Sequence, residues 1–172
     1  ELMELAEICR YVPFHPARTF QEAVQSIFMV LLAVHMESNG HAISLGRFDQ
    51  YVYPLYKKDI EEGRITKEKA LEIIECFFIK CNELNKLRSW PDTEFFMGYQ
   101  MFINLAICGQ TVEGKDATND ISRMCIQACR ESHLLCQSSA LMERQMKCLW
   151  MRWRQRLNTK VECLHFIMIK HL

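Results

Sequence analysis

Apolar residues recur at helical spacing in three parts of this chain. Phe20, Val24, Ile27, Phe28, Leu31 and Leu32 mark one wide face. They predict a helix that starts at Thr19, with Glu22 at the capping-box spacing, and runs to about Met36. Pro13 and Pro16 break the chain before it, and Ser38-Asn39-Gly40 carries turn chemistry after it. Leu71, Ile74, Phe77, Phe78 and Cys81 predict a second helix, capped by Thr66 and ending near Lys86. Thr118-Asn119-Asp120 opens a third, from Ile121 to about His133.

Between these helices the pattern changes. His41 to Leu45 reads as a short strand or an extended loop, and Phe102 to Cys108 is an apolar stretch of strand length. Pro54 limits helix continuity through the aromatic run Phe48, Tyr51, Tyr53, Tyr56, unless it falls in a first turn. Lys57 to Glu62 is a solvated charged end closed by Gly63, and Trp90-Pro91-Asp92 is a break. Helices alternating with short strand candidates predict an α-rich α/β fold.

Composition adds limits. The 172 residues are 49% hydrophobic, which is enough for a packed core. Lys+Arg and Asp+Glu are both 21, so net charge indicates no partner. No run is long enough to span a membrane, the longest being Ile27 to Val34. The nine cysteines form no CxxC pair, so neither a zinc site nor a dithiol redox motif is signalled. Free thiols at helical positions fit a reducing, cytoplasmic setting.

Two polar stretches are too specific to be core alone. One runs from Glu37 to Tyr51 and holds His41, Ser44, Arg47, Asp49 and Gln50. A buried cluster of that kind needs its hydrogen bonds satisfied, and such networks rigidify a site. The other is Gly109 to Asn119, whose Gly and Asn positions suit a tight turn feeding a helix N-terminus. It lacks the GK[ST] of a phosphate-binding loop.

The segments ESNGHAISLGRFDQYVYPLY, GQTVEGKDATNDIS and PARTFQEAVQSIF resemble the pyruvate formate-lyase domain of the glycyl radical enzymes. The resemblance covers about residues 10 to 133 and leans toward the dehydratase and eliminase branch and its formate acetyltransferase-like relatives. It implies a partial ten-stranded β/α barrel. It also implies anaerobic chemistry in which a protein glycyl radical, installed by a radical-SAM activating enzyme, oxidises a cysteine to a thiyl that takes hydrogen from a small-molecule substrate. That chemistry is either C–C cleavage with acyl transfer or C–O/C–N elimination. No bound cofactor is implied, and members are often homodimeric.

The family's Cys and Gly loops have no match in these residues. No residue here therefore inherits a catalytic role, and the expected chain is an inactive fragment or a helical binding protein. His41 and Ser44 are the candidate substrate-binding residues; Arg47, Asp49 and Asn119 are candidate structural residues of the pocket wall. Alcohol-eliminating relatives carry His-Ser where this chain has His41-Ala42, which argues against a polyol substrate.

After His133 the resemblance stops. From Ser138 onward seven Lys/Arg face two acidic residues. Read one base earlier, the codons of Met142 to Met151 permit GTADEMFMD, and those of Glu162 to Lys170 permit GMPSFHYDK. Both strings match the family in order. Residues 1–137 are thus expected to be a partial pyruvate formate-lyase domain, and 138–172 an out-of-frame tail. The rival reading of the tail is a basic, Trp-bearing arm for nucleic acid or a membrane surface; neither partner is expected.

Overall fold

A computed structural model describes residues 2–37, 43–84, 87, 89–95, 103–132 and 138–140. Six helices and three strands occur among them: α1 (Leu2–Tyr11), α2 (Phe20–Glu37), β1 (Ser44–Arg47), α3 (Phe48–Glu61), α4 (Lys67–Glu83), α5 (Trp90–Phe95), β2 (Asn104–Ala106), α6 (Asp120–Ser132) and β3 (Ser138–Ala140). The strands form one parallel sheet in the order β1-β2-β3. Parallel neighbours need crossover connections, and helices supply them here, as the α-rich α/β expectation required.

The helix starts follow local chemistry. The Thr19 hydroxyl accepts from Glu22 N at 3.2 Å, and the Thr66 hydroxyl accepts from Lys69 N at 3.2 Å. Glu22 reaches one residue further back than a capping box, taking Arg18 N at 2.7 Å. The orphan N–H of Phe20 donates to the buried Asp59 at 2.7 Å, and Arg64 holds the other Asp59 oxygen at 3.1 Å. That contact pins the start of α2 to the end of α3.

Helix α4 packs against both α2 and α6, and α2 also packs on α3. The core between them includes Phe20, Phe48, Val52, Ile74 and Phe78, all essentially inaccessible. Each large side chain so buried contributes about 1.5–3 kcal/mol. The rings of Phe48 and Phe77 stack at 5.5 Å, which fixes the start of α3 against α4.

Four local features differ from the sequence expectations. Helix α1 has no counterpart in them. Pro54 does not limit α3, which runs through it. Phe48, Val52, Tyr56 and Asp59 on that helix are buried, and this packing outweighs the roughly 3 kcal/mol that an interior proline costs. The break at Trp90-Pro91-Asp92 is instead the first turn of α5, where proline is tolerated and the Ser89 hydroxyl accepts from Asp92 N at 3.4 Å. Strand β1 begins at Ser44 and continues to Arg47, beyond the expected Leu45; residues 41 and 42 lie outside the described set.

Candidate functional site

β1 carries one more residue than β2 across the same span, since Ser44 pairs with Asn104 and Arg47 with Ala106. Gly46 absorbs the excess at φ 65°, a left-handed conformation that glycine adopts without steric cost. Apart from its own chain neighbours, no atom of the described residues lies within 4 Å of where its Cβ would stand, so backbone conformation selects glycine there. Just past this bulge, Arg47 reaches across to the segment leaving β2. Its guanidinium donates to the carbonyls of Cys108 and Gln110, each at 3.1 Å.

Asp49, in the first turn of α3, is fully buried. Its Oδ2 accepts from Cys108 N at 2.7 Å and from the Ser122 hydroxyl at 2.5 Å. Its Oδ1 has no hydrogen-bond partner among the described residues. Asn119 caps α6: its Oδ1 accepts from Ser122 N at 3.0 Å, and Ser122 Oγ accepts from Asn119 N at 3.1 Å. The Asn119 amide also donates to the Asp49 carbonyl at 2.9 Å, and Gln50 donates to the Ala117 carbonyl at 2.8 Å.

These bonds clamp a strained point. Cys108 holds φ at 65°, which is costly for a residue with a Cβ. Asp49 takes its N–H and Arg47 takes its carbonyl, so both backbone groups are fixed from outside the loop. Beyond it, Thr111 N donates to the Lys115 carbonyl at 2.8 Å and Ala117 N to the Gly109 carbonyl at 3.0 Å, closing a compact turn. The two polar stretches singled out from sequence therefore meet in space. Strain of this kind, over-determined by its surroundings, is typical of functional sites.

Burial governs the thiols nearby. It pushes Cys108 up from its ordinary value, with the Thr118 and Ser122 side chains pulling the other way. It raises Cys125 well above the usual range, with Cys129, Asp49 and Cys108 adding to the shift. Neither thiol is poised as a nucleophile. Among the described residues, no group of three or more His, Cys, Asp or Glu could hold a metal ion, and no helix is long and apolar enough to cross a membrane.

The candidate residues fall into different settings. Arg47, Asp49 and Asn119 belong to the clamp. Ser44 is exposed, and its hydroxyl accepts from Gly46 N at 3.3 Å. It edges a groove of about 400 Å³ whose other walls, among them Ile27, Val30, Val34 and Leu45, are mostly apolar. His41 lies outside the described residues. Ser122 was missed in the sequence. Its signal was faint: a serine at the third position after the Asn119 cap, inside an otherwise ordinary helix.

Residues 1–152 match the family model described as pyruvate formate lyase-like. The chain is 44% identical over 133 residues to the isethionate sulfite-lyase of Oleidesulfovibrio alaskensis, covering 76% of this chain and 16% of that protein. It thus spans about a sixth of the length of such curated relatives. A solved structure on 1,2-propanediol dehydration in Roseburia inulinivorans superposes with TM-score 0.78 at 47% identity, over 83% of this chain and 17% of that one. The glycerol-bound form of the B12-independent glycerol dehydratase from Clostridium butyricum gives 0.74 at 41% identity, over 82% and 18%. With the family model covering most of the chain, this protein belongs to the pyruvate formate lyase-like family.

Proposed function

We propose that this chain builds a section of cavity wall in a glycyl radical enzyme that eliminates a group from a small polar substrate. The observation that carries the reading is the clamp. Arg47, the last residue of β1, and Asp49, in the first turn of α3, fix the Cys108 backbone at the exit of β2. Carbon-centred radicals need a dry cavity with rigid walls, because stray reactants quench them. A buried, cross-strand network supplies rigidity of that kind. The named relatives favour elimination over C–C cleavage with acyl transfer, since they include a sulfite-lyase and a glycerol dehydratase.

In this reading the parallel sheet is an arc of a ten-stranded β/α barrel. Arg47, Asp49 and Asn119 hold its loops, and His41 and Ser44 face the substrate. Ala42 follows His41 without a hydroxyl, which turns the site away from polyols and toward substrates with fewer hydroxyl groups. The radical and thiyl groups, the radical-SAM activating enzyme, and any dimer contact belong to the complete enzyme, in the cytoplasm. None of the 172 residues here is assigned a radical-bearing role, and the out-of-frame extension expected over residues 138–172 is assigned to the part that follows β3, after Ala140.

Two measurements test this. Incubated anaerobically with a family activating enzyme, this chain should give no glycyl doublet by electron paramagnetic resonance; a doublet that depends on this chain sinks the assignment. A chimera placing residues 2–132 in an active relative tests the wall. It should turn over isethionate, and His41→Ala should lower its kcat/KM by about 100-fold or more. A chimera indifferent to His41 removes that residue from the substrate site.

A further inference from the structure

One peptide unit of β1 is held at both ends by side chains. Tyr51, on α3, donates its hydroxyl to the Leu45 carbonyl at 3.0 Å. The N–H of Gly46 is the other end of that same planar unit. It donates to the Ser44 hydroxyl oxygen at 3.3 Å. The unit sits at the bulge, where the register passes from Ser44↔Asn104 to Arg47↔Ala106. A bulge disrupts the ladder locally and can re-aim a side chain, so the backbone here takes its orientation from such contacts.

Tyr51 is braced for this task. Its ring meets Phe48 edge-on at 5.8 Å, and the fully buried Phe48 stacks on Phe77 at 5.5 Å. Tyr51 and Ser44 line the same groove. Packing on Phe48 asks only for a ring; the hydroxyl serves the bulge.

The Gly46 bond also sets the polarity of Ser44. A hydroxyl offers one proton and two lone pairs. One lone pair is occupied by the Gly46 N–H, and no acceptor for the proton is found among the described residues. The side chain is exposed, so the O–H is left to act outward as a donor.

We propose that Tyr51 is a positioning residue of the substrate wall: by fixing the Leu45–Gly46 peptide, it keeps the Ser44 hydroxyl turned outward as a hydrogen-bond donor to an acceptor oxygen of the substrate. This deepens the cavity-wall reading and rests on it, because it needs Ser44 at the substrate.

The test uses the chimera that carries residues 2–132 in an active relative, with isethionate as substrate. Four proteins are assayed: the chimera, Ser44→Ala, Tyr51→Phe and the double variant. Ser44→Ala should lower kcat/KM about tenfold and Tyr51→Phe about threefold or more. The double variant should be no worse than Ser44→Ala alone, because Tyr51 acts only through Ser44. Effects that multiply in the double variant would make Tyr51 a packing residue and overturn the inference. Full activity in Tyr51→Phe beside an impaired Ser44→Ala would overturn it too, and would leave the cavity-wall reading standing. An indifferent Ser44→Ala would remove Ser44 from the substrate site and the inference with it, while His41→Ala still tests the wall. The full chain of 172 residues gives a reading that needs no turnover. Solvent exchange of the Gly46 amide, followed by NMR, should speed about fivefold or more in Tyr51→Phe, with Asn104 unchanged. Equal exchange at Gly46 in the two proteins overturns the positioning role, whether or not the chimera is active.

Discussion

Asp49 and Ser122, 73 positions apart, share a 2.5 Å hydrogen bond that ties the first turn of α3 to the first turn of α6. The same carboxylate oxygen takes the N–H of Cys108. One buried atom therefore joins three segments: α3, α6 and the exit of β2. Asp49→Asn replaces a charge-assisted acceptor by a neutral amide and puts an N–H₂ in a buried place. It should destabilise by about 2–4 kcal/mol, and Ser122→Ala by about 1–2 kcal/mol. The double substitution should cost clearly less than the sum, because the two residues share one interaction. Urea midpoints of the four proteins measure this. Additivity within about 0.3 kcal/mol would mean that the bond contributes nothing of its own.

Local signals in the sequence located what local physics determines. Thr19 and Thr66 act as caps as their spacing predicts, and Asn119 opens α6. Pro54 misled, because tertiary burial of Val52 and Tyr56 overrides a local preference that only the three-dimensional packing can outweigh. Helix α1 lacked a cap signature or a long periodic face from which to be drawn. The pairing of Asp49 with Ser122 depends on a register between distant segments, which no local pattern encodes. Periodicity and caps had no purchase on His41 or Ser44 as substrate contacts; those rest on resemblance alone.

Cys108 offers a test of clamped strain. At φ 65° glycine is unstrained, whereas alanine keeps the clash of a Cβ with the backbone. Both substitutions lose the same buried thiol. Cys108→Gly should therefore be more stable than Cys108→Ala by about 1 kcal/mol, the reverse of the order usual within helices or strands. Thermal or urea unfolding of the pair gives the answer. If alanine is the better tolerated, the backbone at this position is not held in the left-handed region.

Glu22 predicts an acid limb. The Arg18 guanidinium bonds its carboxylate and holds its pKa below the ordinary value; burial opposes this, and the N–H groups of Arg18 and Thr19 assist. A carboxyl depressed on folding stabilises the protein above its unfolded value, about 4.3, and loses that stabilisation as pH falls through the lower folded value. Arg18 is 61% exposed, so solvent screens the pair and the contribution stays below about 1 kcal/mol. Glu22→Gln should flatten the stability profile between about pH 5 and pH 3, and high salt should shrink the difference between the two proteins. Urea midpoints across that range, at low and high salt, test it. An unchanged acid limb removes Glu22 from the account.

The end of the chain separates two boundaries. Residues 138–172 contain no Gly or Pro, and carry seven Lys/Arg against two acids, so the stretch lacks the turn and cap signals that selection for a fold leaves. Yet the family match extends to residue 152, and β3, at its start, pairs in parallel with β2 through Ser138, Ser139 and Ala140. A cut after Ala140 keeps that strand, whereas a cut after Gln137 strips it and leaves β2 as an open edge. Removing residues 141–172 should leave the unfolding midpoint of the remainder unchanged. Removing 138–172 should lower it and speed amide exchange at Asn104 to Ala106. If both truncations behave alike and leave stability intact, β3 adds nothing to the sheet and the out-of-frame boundary belongs before Ser138. If the shorter deletion already destabilises, residues beyond Ala140 contribute to the fold and the out-of-frame account fails for them.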